Sequence, residues 1–409
     1  MSAYNGAKSG SESNKRFEFD HALRVYSDVT QMASSLENPT PLVRLNRISA
    51  TPDFAIHLKM ERYNPFGSVK DRIAFEMLRA LDTQGRKVIE PSSGNTGIAL
   101  ASLANSMGIP VEVAVPQAVP EEKKVMLKVL GVKLWEADDA LCPVFPNEGA
   151  RGLVNALVSS PGTKSEYVSP NQYENQLNVQ AHYRATGPEI WKQTAGGVTH
   201  FFAAMGTCGT ISGVGKFLKE QNPDVNIIGV EPASADHKLP GMKRISDLTE
   251  EYVPKILDSS VIDSREQVSD EDAYRTAMVL ARKEGILVGP TTGAVLSVAL
   301  RYSRSNSGLA VVISPDDAFK YAGFYKEFLD SGKAAIERAD EHDFSDLVCP
   351  MSKVRTVQVI ESLNQGDRVS IVLGDMDSLK SVLMELRTRG LKPDFKREDE
   401  NRFRLAIVK

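Results

Sequence analysis

The segment ERYNPFGSVKDR (61–72) sets Lys70 just behind an Asn-Pro turn and a glycine, where an apolar helix pattern begins. A lone lysine in such a place is most often a solvated surface group. Three turns elsewhere in the chain change its meaning. In EPSSGNTGIAL (90–100) a strand pattern passes into a helix pattern through Ser92, Ser93, Gly94, Asn95 and Thr96. Amides and short hydroxyls gathered in such a turn make a seat for a carboxylate, and an ordinary helix N-cap uses the same residues. In AAMGTCGTISG (203–213), Gly206, Gly209 and Gly213 alternate with Thr207 and Thr210. Its amides and hydroxyls suit a phosphate at a helix N-terminus, although one glycine-rich turn by itself reads as a tight connection. GILVGPTTGAVL (285–296) reads as a further strand running into Gly, Pro, Thr, Thr and Gly. A lysine nucleophile, a phosphate cradle, a carboxylate seat and a hydroxyl-bearing turn are together what pyridoxal phosphate requires, with Lys70 holding the aldehyde as a Schiff base.

The elements that must position these groups alternate from about residue 28 to 330. AIHLKME precedes DRIAFEMLRALDT, KVIEPS precedes TGIALASLANSMG, VEVAVP precedes EEKKVMLKVLG, and LAVVIS precedes AFKYAGFYKEFL. Strands alternating with helices predict parallel sheets covered on both faces, an α/β class. The chain of 409 residues, 42% apolar and 25% charged, is long enough for two or three domains with sizeable cores. A net charge of −4 gives no footprint for nucleic acid or an acidic membrane. Cys142, Cys208 and Cys349 lie too far apart for a disulfide framework, which fits a reducing compartment. The stretch MSAYNGAKSGSESNKRFEFD has no apolar core of signal-peptide length, and no later run spans a bilayer, so a cytoplasmic protein is expected. Six scattered histidines, with neither HExxH nor CxxC, predict no metal site.

The order and spacing of the four segments resemble the tryptophan-synthase-like, fold-type II pyridoxal-phosphate enzymes, and within them the cysteine synthase family. ENPTPLVRLN, NPFGSVKDR, SSGNTG, NQYENQLN, TGPEIW, GTCGTISGVGKFLKEQNP, GVEP and EGILVGPTTGA look like that family's signatures in its order, over roughly 36–328. The resemblance implies a fold of two parallel-sheet α/β subdomains, a homodimer, and a small amino-acid substrate with sulfide or a sulfur-donor protein as co-substrate. Carried over, Lys70 resembles the Schiff-base lysine that also moves the α-proton, and Asn95 the partner of the cofactor's ring hydroxyl. Ser92, Ser93, Gly94, Thr96 and Gln172 resemble the groups that take the substrate carboxylate. Gly206, Thr207, Cys208, Gly209 and Thr210 resemble the phosphate loop, and Thr291 the hydroxyl partner of the pyridine nitrogen. The sequence departs from the family at Cys208, where glycine is usual, and at Ser92, where threonine is common. A neutral hydroxyl at the pyridine nitrogen favours elimination of a β-substituent over transamination. The implied reaction is β-replacement on an activated serine through α-aminoacrylate, with ping-pong kinetics. DHKLPGMKRISD (236–247) resembles the Pro-Gly-x-basic-basic segment of B-type cysteine synthases and O-phosphoserine sulfhydrylases. One of Lys243 or Arg244 is expected to recognise a phosphate leaving group, so that O-phosphoserine is taken at least as well as O-acetylserine. A solvated basic loop is the equal rival.

The remainder has a different texture. Residues 1–27 are expected to be a flexible N-terminal segment, 28–331 the catalytic domain, 332–342 (GKAAIERADEH) a polar linker, and 343–409 a small domain. Its pattern is strand FSDLV, helix 351–364, strand RVSIVLG, helix 377–389 and a closing strand RFRLAIV, a two-layer βαβαββ unit. In DLVCPMSKVR, Pro350 suits the first helical position, and Met351, Val354, Val357, Ile360 and Leu363 recur at a helical period. That puts Cys349 at a helix N-terminus, where free amides and the dipole favour a thiolate, with Lys353 and Arg355 nearby. A small buried hydrophobe is the commoner use of a lone cysteine. Residues 343–409 resemble the TusA/SirA family of sulfur carriers, whose Cys-Pro motif bears a persulfide; Ser352 replaces that motif's usual second proline. The resemblance implies that Cys349 carries sulfur to the neighbouring domain. The alternative reading is a pyridoxal-phosphate β-synthase using free sulfide, thiosulfate or another nucleophile (a cystathionine or diaminopropionate synthase), with a regulatory or binding C-terminal domain.

Overall fold

In the larger sheet the strands run in the order Leu42–Arg44, Phe54–Met60, Gly308–Ser314, His200–Ala204, Asn226–Pro232 and Ser264–Val268. All neighbours are parallel except the first pair. The second sheet orders Lys133–Ala137, Val111–Pro116, Lys87–Pro91 and Tyr167–Val168, all parallel. This is a computed structural model; it describes residues 24–48, 53–92, 94–117, 119–138, 147–331, 340–363, 367–399 and 401–409. The N-terminal segment expected over 1–27 lies outside the described residues up to residue 23, as do 332–339 of the expected linker, Ser93 and Cys142. The chain divides between Glu327 and Phe328 into two units.

In the first unit the sequence pattern explains the layering. Every residue of the strand Val111–Pro116 is buried, because helices cover both faces of a parallel sheet. Its one charge, Glu112, is paired with Lys87 at 3.2 Å and Lys133 at 3.6 Å. The helix Asn95–Met107 ends on Gly108, whose left-handed backbone (φ 68°) returns its N–H to the carbonyls of Ala104 and Asn105. The core splits between the sheets: Val88, Leu100, Val113 and Leu127 anchor the smaller, and Phe201, Ile211, Ile227 and Val311 the larger. The turns bearing Lys70, Ser92–Thr96 and Gly206–Thr210 all follow the carboxyl ends of strands, where open α/β sheets bind their ligands.

One expected strand is not formed. GILVG leaves the helix Asp270–Glu284 through Gly285 (φ 72°) and runs directly into the helix Pro290–Tyr302. Its backbone is satisfied by side chains instead of a neighbouring strand: the Tyr325 hydroxyl donates to Val288 O (2.7 Å) and Arg62 Nη1 to Leu287 O (3.0 Å). Leu287 is exposed, so the apolar run does not mark a buried strand. The polar strand Ser264–Val268 takes the sheet edge.

The second unit has strands in the order Asp340–Phe344, Arg368–Leu373, Arg402–Val408 and Asp394–Asp399, with helices Met351–Ser362 and Met376–Thr388. Val369, Ile371 and Leu373 alternate with outward residues, as do Phe403, Leu405 and Ile407; together with Leu379, Val382 and Leu386 they form the core. Its first strand lies four residues before the expected FSDLV. Phe344 pairs with Leu373 and packs on the core, whereas Ser345–Pro350 turn away and leave Val348 exposed. The inward line of the helix Met351–Ser362 is Ser352, Thr356 and Ile360; Met351 and Val354 face solvent.

Candidate active site

Lys70 is the first residue of the helix Lys70–Ala80. Ser68 Oγ accepts its N–H at 3.2 Å, and Asp71 takes the Phe66 N–H at 2.6 Å and the Ser68 hydroxyl at 3.1 Å, which fixes how the chain enters the helix. Two residues on, Arg72 is clamped within a fully buried set of charges. Its guanidinium meets Glu61 at 2.6 and 2.9 Å and Glu189 at 2.6 and 2.8 Å. Lys59 Nζ meets Glu189 at 2.6 Å and Thr40 O at 2.8 Å. Burial opposes the charge on Glu61, but Arg72 outweighs it and holds the carboxyl down at about 2. Two cations and two anions thereby compensate one another beneath the lysine.

Above the strand ends lies a cavity of two lobes that share Lys70, Asn95, Gly206, Thr207, Pro240, Gly241 and Tyr321. Counting the open space at the mouth, they span about 580 Å³ and about 610 Å³. The first adds Cys208, Thr210, Thr291 and Asp316; the second adds Ser92, Gly94, Thr96, Lys123, Gln172, Tyr173 and Lys243. Of the residues expected from the sequence, Gly209 does not line the cavity but starts the helix Gly209–Gln221 beneath it. Arg244 turns away, with Nε 3.0 Å from Asp247 and Nη1 on Ala233 O, so of the basic pair only Lys243 reaches the cavity. Cys349 belongs to the other unit.

The 206–210 turn explains its own glycines. A Cβ at Gly206 would lie 2.2 Å from Gly241 O, and one at Gly209 would lie 1.9 Å from Asn178 Oδ1. Asn178 needs that room to donate to Gln172 O (2.8 Å) and Thr207 Oγ1 (3.3 Å). Cys208 sits in the left-handed region (φ 68°), which accounts for a glycine being usual there. Its thiol is buried and pushed up to about 12, so it serves packing and not nucleophilic chemistry. Thr210 Oγ1 is 3.1 Å from His182 Nε2, and His182 Nδ1 is 2.9 Å from Thr186 Oγ1. Burial, with Arg72's charge, takes His182 down to about 3, so the ring is neutral.

In the 92–96 turn, Ser92 Oγ accepts the N–H of Gly94 (3.2 Å) and Gly97 (2.8 Å). Thr96 Oγ1 donates to Gln172 Oε1 (2.8 Å), and Gln172 Nε2 to Pro91 O (3.1 Å). Glu90 holds the facing segment by accepting from Ser169 Oγ and the N–H groups of Asn171 and Gln172 at 2.9–3.0 Å. Asn95 Nδ2 donates to Asp316 Oδ2 at 2.6 Å, Lys320 Nζ donates to Asn95 Oδ1 at 3.2 Å, and the Tyr321 hydroxyl to Asp316 Oδ2 at 2.5 Å. Thr291 Oγ1 donates to Pro240 O at 3.1 Å. Asp316, Lys320, Tyr321, Lys123, His182 and Glu90 were not singled out from the sequence. The first three follow the carboxyl end of LAVVIS, a position that carries a signal once that strand is paired. Lys123, inside EEKKVM, resembles a solvated helix face.

In the second unit Cys349 is exposed, one residue before Pro350, which caps the helix Met351–Ser362 instead of opening it. Ser352 donates to Ser378 Oγ (2.9 Å), which donates to Asp375 (2.6 Å), so this serine ties the two helix starts together. Among the described residues no helix is long and apolar enough to cross a membrane, and no cluster of His, Cys, Asp and Glu forms a metal site.

A family model described as pyridoxal-phosphate dependent enzyme matches residues 33–316. The cysteine synthase of Aquifex aeolicus is 40% identical over 309 residues, covering 72% of this chain and 92% of that protein. Cysteine synthase B of Salmonella typhimurium is 36% identical over 296 residues, covering 70% and 94%. Among solved structures, a hydrogen sulfide-producing enzyme from Fusobacterium nucleatum superposes with a TM-score of 0.65 at 32% identity, over 73% of this chain and all of that one.

Proposed function

This chain belongs to the pyridoxal-phosphate-dependent enzymes and, among them, to the cysteine synthase family, and from that premise we propose that it makes cysteine by exchanging the β-substituent of an O-activated serine for sulfur. The observation that carries the reading is one cavity in which Lys70 meets a helix-start cradle at 206–210 and an amide- and hydroxyl-rich turn at 92–96. The residues present fit the cofactor: the 206–210 turn can present its amides at a helix start only because Gly206 and Gly209 lack a Cβ, which would strike Gly241 O and Asn178 Oδ1. When bound, pyridoxal phosphate supplies the electron sink that labilises the bonds at the substrate's α- and β-carbons. Lys70 Nζ would hold the cofactor's aldehyde carbon and is the group placed to take the substrate's α-proton. Gly206, Thr207, Cys208, Gly209 and Thr210 would hold the phosphate, Thr291 would serve the ring nitrogen and Asn95 the ring hydroxyl. Ser92, Ser93, Gly94, Thr96 and Gln172 take the α-carboxylate.

O-phosphoserine is accepted at least as well as O-acetylserine. In support, Lys243 is buried at the substrate lobe with Nζ 4.7 Å from the Tyr173 ring centre, and no carboxylate lines that lobe among the described residues. Steady-state kinetics on both esters test this. Lys243→Ala is expected to lose rate selectively with O-phosphoserine, and Arg244→Ala to change neither; equal loss on both esters by Lys243→Ala would contradict it.

The C-terminal unit acts as a sulfur carrier of the TusA kind. After the ester oxygen has left, the outer sulfur of a Cys349 persulfide bonds to the substrate's β-carbon, and a thiol reductant then splits the resulting disulfide into cysteine and the Cys349 thiol. A tether of roughly ten residues keeps the local concentration near millimolar. The enzyme works as a homodimer in the cytoplasm. Comparing wild type with Cys349→Ser, each supplied with sulfide or with a persulfurating donor, tests the carrier role. Selective loss of the donor-driven reaction supports it; survival of both reactions makes the C-terminal unit a regulatory or binding module.

A further inference from the structure

We propose that Lys123 is a specificity-determining residue for this site: its ammonium group takes the α-carboxylate of the amino-acid substrate. The inference rests on the 92–96 turn being the carboxylate seat. Among the described residues of that turn and its Gln172 neighbour, most side-chain donors are already engaged. The Thr96 hydroxyl is spent on Gln172 Oε1, Asn95 Nδ2 donates to Asp316 Oδ2, Gln172 Nε2 donates to Pro91 O, and Ser92 Oγ, which accepts two backbone N–H groups, keeps a single proton to give. Neutral groups so committed leave an ionised ligand poorly compensated in a buried place.

Lys123 supplies what is lacking. It lies on the helix Glu121–Val129, whose other lysines are paired with carboxylates: Lys124 with Glu136 at 2.7 Å and Lys128 with Glu121 at 3.3 Å. Lys123 instead turns into the substrate lobe, is only 8% exposed, and makes no hydrogen bond or ion pair among the described residues. Its Nζ stands 4.5 Å from the Tyr321 ring centre and 3.5 Å from where a Cβ of Gly94 would be, against the seat itself. A buried ammonium costs several kcal/mol unless an anion meets it. Burial accordingly pushes Lys123 down to about 8, against Asp316 and Glu122, which favour its charge, and with Lys320, which opposes it. Lys243 sits at Tyr173 and is left for the leaving group, so the two lysines divide the substrate's two anionic ends.

The test uses the holoenzyme and two probes, L-serine and L-serinamide, which differ only in the carboxylate and are read by the shift in cofactor absorbance without turnover. Wild type is expected to bind L-serine far more tightly. Lys123→Gln should weaken L-serine by about 10- to 100-fold, leave L-serinamide unchanged, and raise KM for both serine esters alike; Lys123→Arg should restore most of the affinity. Unchanged L-serine binding in Lys123→Gln, or equal loss with both probes, would overturn the assignment. Failure of wild type to form cysteine from either ester would instead overturn the proposed reaction, because the binding comparison does not depend on it.

Discussion

His182 is a buried residue whose protonation is coupled to folding. In the folded chain it takes a proton only near pH 3, whereas its ordinary value is 6.5. The unfolded chain therefore binds the proton first, and the stability held above 6.5 is lost as pH falls towards 3. The thermal midpoint of wild type should drop over that interval, and more steeply than that of His182→Gln; parallel curves would contradict the assignment. At Lys123 the sign runs the other way for ligand binding. Its charge is present below about 8, so L-serine affinity should decline from pH 7 to 9 in wild type and decline less in Lys123→Arg. Cys208→Gly should alter stability by no more than about 1 kcal/mol in denaturant unfolding, because relief of a left-handed backbone offsets the lost side chain. Lys70, Asn95 and the threonines were legible because residue type and spacing announce them. Lys123 and Asp316 were not, because the direction in which a helical lysine or a strand-end carboxylate points is set by tertiary packing.

Elements carry those residues, and two of them are under evident constraint. The helix Lys70–Ala80 is pinned by Arg72 between Glu61 and Glu189. Removing one partner of a buried ion pair is worth about 3–5 kcal/mol. Arg72→Met should show a loss of that order in denaturant unfolding and weaken cofactor binding, since Lys70 loses its anchorage. The start of the helix Gly209–Gln221 tolerates no Cβ at its first residue, 1.9 Å from Asn178 Oδ1. Gly209→Ala should displace Asn178, and with it Gln172 and Thr207, lowering cofactor affinity in an absorbance titration. The strands with continuous apolar runs were readable in advance. GILVG read as one of them because four to eight apolar residues between glycines fit a strand or a connector equally well. Only the partners of its carbonyls, Tyr325 and Arg62, decide. The face of the helix Met351–Ser362 was misjudged for a related reason: Ser352 and Thr356 are buried through hydrogen bonds to Ser378 Oγ and Ser352 O, which a hydropathy pattern does not register.

At the scale of the molecule, the two units have separate hydrophobic cores. A chain ending at Ser331 should therefore fold and keep the sulfide-driven reaction while losing the donor-driven one, and loss of both would join the C-terminal unit to catalysis itself. All four cavity turns lie in the first unit, the part covered by the family match, so the central claim concerns that unit. The most direct test is to mix the purified holoenzyme with O-phosphoserine or O-acetylserine, follow the cofactor absorbance, then add sulfide and quantify cysteine. The account predicts a new absorbance band on adding ester alone, its decay on adding sulfide, stoichiometric cysteine, and none of these in Lys70→Ala. Pyruvate as the main product, or cysteine formation that survives Lys70→Ala, would contradict it.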